Sequence, residues 1–204
     1  MIGIVNYGSG NLTAIANIYK RLNIPTQIVA TAAQLGAADK LILPGVGAFD
    51  RAMQCLNESG MKRPLEDLVI AQRRPILGIC VGMQMFARRS DEGDLPGLGW
   101  IPGEVRKFDV TAFSQRTHLP HMGWNDVQPR ENTSLFKALD SSARFYFLHS
   151  YYFAPDREVN VLADTNYNGV FASSIHSQNI FGVQFHPEKS HAWGIRLLHN
   201  FSDL

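Results

Sequence analysis

Between Pro75 and Arg88 the sequence reads as a strand that turns, without a spacer, into a helix. Pro75-Ile76-Leu77 is apolar and short enough for a buried strand, and Met83-Gln84-Met85-Phe86-Ala87-Arg88 contains no helix breaker. The intervening Gly78-Ile79-Cys80-Val81-Gly82 puts Cys80 on the turn. Glycines two residues to either side let the backbone bend sharply, which is the logic of a nucleophile elbow with sulfur in place of the serine oxygen. Unpaired N–H groups at a helix N-terminus favour a thiolate, the form that attacks a carbonyl carbon. Taken alone, the segment reads equally well as a small buried hydrophobe closing a strand.

The flanking sequence repeats the alternation. Ile2-Gly3-Ile4-Val5 reads as a strand, and the Tyr7-Gly8-Ser9-Gly10-Asn11 turn precedes a helix with Leu12, Ile15, Ala16, Tyr19 and Leu22 at helical spacing. A strand at Thr26–Val29 and a short helical stretch lead to a third strand, Lys40-Leu41-Ile42-Leu43, which exits through Pro44-Gly45-Val46-Gly47. Helical patterns cover about Phe49–Asn57 and Pro64–Arg73. This rhythm predicts an α/β fold: an open, mostly parallel, flavodoxin-like sheet with helices on both faces and ligands beyond the C-terminal strand ends. After Arg89, short pieces at Gly103–Phe108, Phe145–Leu148, Val159–Leu162, Phe171–Ile175 and Ile180–Phe185 predict a smaller mixed or antiparallel sheet, before a last helix over about Ala192–Phe201.

At 204 residues the chain reads as one domain, 1–204, built around one core. A net charge of +1 gives no basic excess for nucleic acid. No apolar run reaches the length of a membrane span and no leader pattern opens the chain, so the expected compartment is the cytoplasm. Cys55 and Cys80 form no CxxC pair, and Cys55 falls on the apolar side of a helix. The Gly8-Ser9-Gly10 turn lacks the third glycine of a dinucleotide fingerprint, because Thr13 stands there. His118 and His121 have HxxH spacing, but Pro120 lies between them and no acidic third ligand follows; no metal and no cofactor are expected.

The last strand runs into His186-Pro187-Glu188. Side chains two apart on extended backbone point the same way, and proline favours that backbone, so Glu188 can orient the His186 imidazole. A thiol at an elbow, a histidine at a strand end and an adjacent acid are the parts of a nucleophile–base–orienter triad.

Gly78-Ile79-Cys80-Val81-Gly82-Met83-Gln84 and Gln184-Phe185-His186-Pro187-Glu188 resemble the two signature segments of the class I, triad-type glutamine amidotransferases. Further segments, Asn6–Leu12, Pro44–Gly47, Pro120–Asn125, Phe145–Tyr151 and His186–Ser190, resemble one branch of that family, the glutaminase subunits of imidazole glycerol phosphate synthases. The resemblance implies hydrolysis of L-glutamine through a Cys80 thioester, with His186 as acid and base and Glu188 as its orienter. It implies an oxyanion hole from the backbone N–H groups of Val81 and, after a peptide reorientation, Val46, with glycines on both sides supplying freedom. The same Pro44–Gly47 segment also reads as a simple tight turn.

By the same resemblance, Gly47, Gln84, Glu92, Ser150 and Tyr151 contact glutamine, although Glu92 in Ser90-Asp91-Glu92 also reads as a solvated loop. His121, Met122, Trp124, Asn125, Tyr146, His149 and Lys189 resemble a surface that meets a synthase subunit; Trp124 and Tyr146 serve core packing equally well. The implied partner is a cyclase of (β/α)8-barrel type in a heterodimer, receiving ammonia through a channel. A paralogous glutaminase feeding a sugar amidotransferase, a catalytically silent scaffold and a cysteine hydrolase of another substrate are the alternatives. The presence of Cys80, His186 and Glu188 together argues against the scaffold.

Overall fold

The computed structural model describes residues 1–112, 118–130, 133–140 and 142–204. The first half of the chain alternates: β1 (Ile2–Val5), α1 (Leu12–Arg21), β2 (Thr26–Val29), α2 (Ala32–Gly36), β3 (Lys40–Gly45), α3 (Phe49–Glu58), α4 (Lys62–Glu66) and β4 (Ile76–Cys80). The second half contributes α5 (Val81–Gln84), β5 (Gly103–Lys107), β6 (His121–Asp126), β7 (Gln128–Pro129), β8 (Arg144–His149), β9 (Tyr151–Pro155), β10 (Val161–Asn166), β11 (Val170–Ser177), β12 (Ile180–Val183) and α6 (His191–Asp203).

Eight strands form one sheet in the order β2-β1-β3-β4-β12-β11-β10-β7. Pairings from β2 through β12 are parallel, and those from β12 to β7 are antiparallel. The central strands β1 and β4 are buried along their whole length, as parallel strands covered on both faces must be. Steps from β1 to β2 and from β2 to β3 run in opposite directions, so right-handed crossovers put α1 and α2 on opposite faces. α6 packs beside α1 and α4 beside α2, giving each face a helical layer. The antiparallel strands are distributed differently from expectation: β11, β10 and β7 extend the main sheet, while β5–β9 and β6–β8 form two separate ribbons.

Four local readings are corrected. The helix expected over 83–88 ends at Gln84. The carbonyls that would continue it are taken by a returning loop: Gly97 N–H bonds Arg88 O, Leu98 Met85 O, Gly99 Ala87 O and Ile101 Phe86 O, all at 2.8–3.1 Å. Arg88 N–H instead donates to Gly103 O, which draws the chain onto β5. The strand expected from Val159 begins at Val161, because Glu158–Asn160 closes a tight helical turn. The helix over Pro64–Arg73 begins at Lys62 and widens into a π-type turn at Asp67–Ala71. β12 stops at Val183.

Candidate active site

Cys80 is the last residue of β4, with φ +55° and ψ −115°. This conformation is rarely adopted by a residue with a side chain and persists only where its surroundings enforce it. Neither Gly78 nor Gly82 has a positive φ, so the bend falls on Cys80 itself and not, as expected, on its glycines. The glycines permit close approach: a Cβ on Gly82 would lie 1.8 Å from Leu43 O, and one on Gly78 would lie 2.6 Å from Phe86 Cε2. β3, β4 and α5 thereby pack backbone to backbone and hold the sulfur at the sheet edge.

β12 is the parallel neighbour of β4 and delivers His186 to the same edge. Pro187 is not in extended backbone as expected: Pro187–Lys189 forms a 3-10 turn closed by Lys189 N–H to His186 O and Ser190 N–H to Pro187 O. The two side chains still meet, with His186 Nδ1 2.9 Å from Glu188 Oε1. β8 fixes the turn, since His186 N–H donates to Tyr146 O at 2.8 Å and Ser190 Oγ accepts from Tyr146 N–H at 3.0 Å. Cys80 lies within hydrogen-bonding reach of the ring. Burial alone would strip the imidazole of its proton, but hydrogen bonds to Cys80 and Glu188 and the charges of both outweigh it, so the His186 pKa is raised. The second carboxylate oxygen, Glu188 Oε2, is buried with no hydrogen-bond partner among the described residues, leaving that charge to act on His186.

These groups open on a cavity of about 460 Å³ whose lining includes Cys80, Val81, His186, Val46 and Lys189. Gly47, Gln84, Glu92, Ser150 and Tyr151, the five expected glutamine contacts, also line it. Glu92 is not merely a solvated loop residue, because its Oε2 accepts from Phe49 N–H at 2.9 Å at the start of α3. Gln184, which sequence reasoning quoted only as part of a motif, is fully buried, and its Nε2 approaches Cys80 Sγ at 3.7 Å.

The family profile described as "Glutamine amidotransferase class-I" matches residues 4–203. The chain belongs to the class-I glutamine amidotransferases. It is 55% identical over 204 residues to a Bdellovibrio bacteriovorus protein named imidazole glycerol phosphate synthase subunit HisH, with both chains fully covered. A Leptospira borgpetersenii protein of the same name is 48% identical over 204 residues, again with full coverage of both. A Pseudomonas aeruginosa protein named subunit HisH 2 of that synthase is 41% identical over 206 residues, with full coverage of both chains. Among solved structures, a glutamine amidotransferase superposes with a TM-score of 0.75 at 20% identity, covering 99% of this chain and 97% of that one. PurLQS from Thermotoga maritima gives 0.72 at 17% identity, with the same coverage. At those identities the likeness concerns the fold.

In this amidotransferase the Val46 N–H does not face the sulfur. Ser9 Oγ accepts from it at 3.1 Å and donates to Val46 O at 3.0 Å, clasping the residue through the peptides on either side. The clasp explains the glycines of the first turn: Gly10 has φ +100°, and a Cβ there would lie 2.6 Å from Pro44 Cβ. The turn once considered for a dinucleotide is thus a cradle for the exit of β3. Sequence reasoning missed Ser9, and its only signal was the spacing of two glycines around a hydroxyl.

In the cavity lining the amidotransferase exposes Val46 at 47% and Leu148 at 38%, and along the β6–β8 ribbon that carries Leu148 it exposes Met122 at 65% and Trp124 at 36%. Trp124 stacks on His191 at 5.1 Å and meets Tyr146 edge-on at 6.3 Å, while Lys189 Nζ sits 5.4 Å above the Tyr146 ring. His121 is placed differently from the expected surface: it is buried, stacked between Phe147 and Tyr167, with Nδ1 3.0 Å from His149 Nε2. His149 is buried too, and Asn125 is partly so. Among the described residues no helix is long and apolar enough to cross a membrane.

Proposed function

We propose that the chain is the glutaminase subunit of an imidazole glycerol phosphate synthase, a single domain that hydrolyses L-glutamine and passes the ammonia to a cyclase subunit in histidine biosynthesis. The observation that carries this reading is the meeting of Cys80 with the His186–Glu188 pair over a cavity of small-molecule size. Full-length similarity to proteins named for that synthase supports the choice within the family.

The Cys80 sulfur attacks the side-chain carbonyl carbon of glutamine, its proton passing to His186. The tetrahedral oxyanion is held by Val81 N–H, one of the groups a helix start leaves unbonded, and by Val46 N–H once the Ser9 clasp opens. His186 returns the proton to the leaving nitrogen, releasing ammonia and leaving a glutamyl thioester. It then takes a proton from water, which attacks the thioester and frees glutamate and the thiol. Glu188 keeps the Nδ1–H of His186 occupied, so Nε2 faces the reaction. Gly47, Gln84, Glu92, Ser150 and Tyr151 hold the amino acid.

Ammonia released into neutral water becomes ammonium, a poor nucleophile, so the cavity mouth has to be covered. The exposed apolar side chains, with Met122, Trp124, Tyr146 and Lys189, are the surface for a (β/α)8-barrel subunit in a cytoplasmic heterodimer, with Asn125 on the other face of β6 supporting it through His121 and Asn166, and ammonia leaves through a channel in that partner. The test is a glutaminase assay with and without the cyclase subunit, coupled to phosphoribulosyl-formimino-aminoimidazole carboxamide ribonucleotide as acceptor. Low turnover alone, and high turnover with product formation in the complex, is expected. Equal high activity in both, or turnover only with a sugar acceptor, overturns the assignment.

A further inference from the structure

The buried histidine pair has no step in this chemistry, yet His149 stands in the cavity wall and a continuous run of hydrogen bonds ties the pair to the neighbouring glutamine contacts. His149 Nδ1 lies 2.8 Å from Tyr151 O, and a carbonyl only accepts, so that nitrogen carries the proton. In the neutral ring Nε2 then accepts, and His121 Nδ1, 3.0 Å away, donates to it. His121 Nε2 in turn accepts from Asn125 Nδ2 at 3.2 Å, and that amide is itself fixed by donation to Asn166 O at 3.0 Å. A proton added to either ring would set N–H against N–H. On the other side of the Tyr151 carbonyl, Gln84 Nε2 donates to it at 3.0 Å and gives its second hydrogen to Gln184 Oε1 at 3.0 Å. Gln84 Oε1 is then the one side-chain atom of that amide left to meet a ligand, and it is an acceptor.

We infer that His149 and His121 are positioning residues for the glutamine pocket: His149 brackets the corner between β8 and β9 through the Tyr151 carbonyl, and His121 fixes the tautomer that makes this possible. The corner carries Ser150 and Tyr151, both in the cavity wall, and the same carbonyl orients Gln84. His121 can set the tautomer because its ring is clamped, with centroids 4.6 Å from Phe147 and 3.9 Å from Tyr167. The logic is that of a metal ligand's outer partner, which fixes a ring without touching the reacting atoms. This inference rests on Gln84 contacting glutamine, as proposed above.

The experiment measures glutaminase KM and kcat in the reconstituted complex for His149→Phe, His149→Asn, His121→Phe and Gln84→Ala, together with alkylation of Cys80 by iodoacetamide, which reads access to the thiol and lacks the amino-acid head that the pocket contacts hold. His149→Phe raises KM roughly tenfold with a smaller change in kcat, and His149→Asn, whose amide supplies a donor where Nδ1 stood, restores KM to within about twofold. His121→Phe falls between them, and alkylation is unchanged throughout. A wild-type KM in folded His149→Phe, or in His121→Phe should the first variant not fold, overturns the inference, as does a parallel fall in alkylation. An unchanged KM in Gln84→Ala strikes the glutamine contact itself; a raised KM there beside a wild-type KM in the histidine variants strikes only the positioning role.

Discussion

His186 and the His121–His149 pair are all buried, and burial disfavours a proton on each of them. At His186 the neighbours are a thiol and a carboxylate, whose hydrogen bonds and negative charge reverse the effect, and the pKa rises. At the pair the neighbours are a carbonyl, an amide and another imidazole, and nothing reverses it: His121 is lowered to about 4 by burial, and His149 to about 3 by burial and then by the charges of His121 and His186. The two sites are close enough for the proton on one to oppose a proton on the other. Burial therefore does not decide the charge of a histidine here. The residue types packed against each ring do, and they divide the three into one ring that favours a proton and two that refuse it.

The comparison breaks most visibly at the charged site. His186→Asn removes the group proposed to move the proton, and glutaminase activity of the complex is expected to fall at least about 10³-fold. Glu188→Gln keeps the shape and discards the charge, with an expected loss of about 10²–10⁴-fold in kcat. NMR titration of His186 in that variant should also show its pKa falling, because the Glu188 charge that helps raise it is gone. A variant with full activity and an unmoved titration would place the source of the proton elsewhere.

Stability against pH tests the neutral site with the opposite sign. Unfolded histidines bind protons below about pH 6.5, whereas the folded pair accepts them only near pH 4 and pH 3. In between, the unfolded chain holds up to two more protons, so the pair's contribution makes stability fall by up to about 2.7 kcal/mol per pH unit as pH drops from 6.5 towards 4. His186 works the other way: its pKa is raised, so its contribution is complete below about pH 6.5 and is lost as pH climbs through the folded value. Urea unfolding of His149→Asn between pH 5 and 6.5 should show a slope shallower by up to about 1.4 kcal/mol per unit than that of the parent chain. Identical slopes would mean that the folded pair takes up protons freely.

Much of the charged site was legible in the sequence, because its constraints are local. An elbow needs small residues around Cys80, and His186 and Glu188 are two positions apart, close enough to meet even though the backbone between them is a 3-10 turn and not the extended one expected. The alternation of strands and helices was legible for the same reason. The neutral site was not: His121 and His149 are 28 residues apart and meet only because β6 pairs with β8 in a register that sets them opposite each other. In the sequence His121 stood out through its HxxH spacing with His118, a signal that points to a metal and not to a ring across a ribbon. The end of α5 was hidden likewise, since the loop that captures the carbonyls just beyond it, those of residues 85–88, lies at residues 97–101. The glycines beside Cys80 were visible, but whether they bend or make room depends on where Leu43 and Phe86 pack.

If charge does the chemistry and neutral hydrogen bonds only hold positions, the smallest effect belongs to the neutral clasp at Ser9. Its hydroxyl makes two hydrogen bonds, one to each of the peptides flanking Val46, and in that exposed setting the pair together is worth about 0.5–1.5 kcal/mol net. Both favour the resting orientation of Val46, in which its N–H is withheld from the oxyanion. Ser9→Ala removes them without touching Cys80, His186 or Glu188, so the reoriented peptide becomes more populated. Glutaminase activity of the chain without its partner should then rise about two- to tenfold, because K for the flip changes by that factor. If docking of the partner displaces the clasp, kcat of the complex should change by no more than about twofold. A fall in partner-free activity would instead mean that the hydroxyl supports the reactive arrangement, and that a neutral contact outside the triad contributes directly to the barrier.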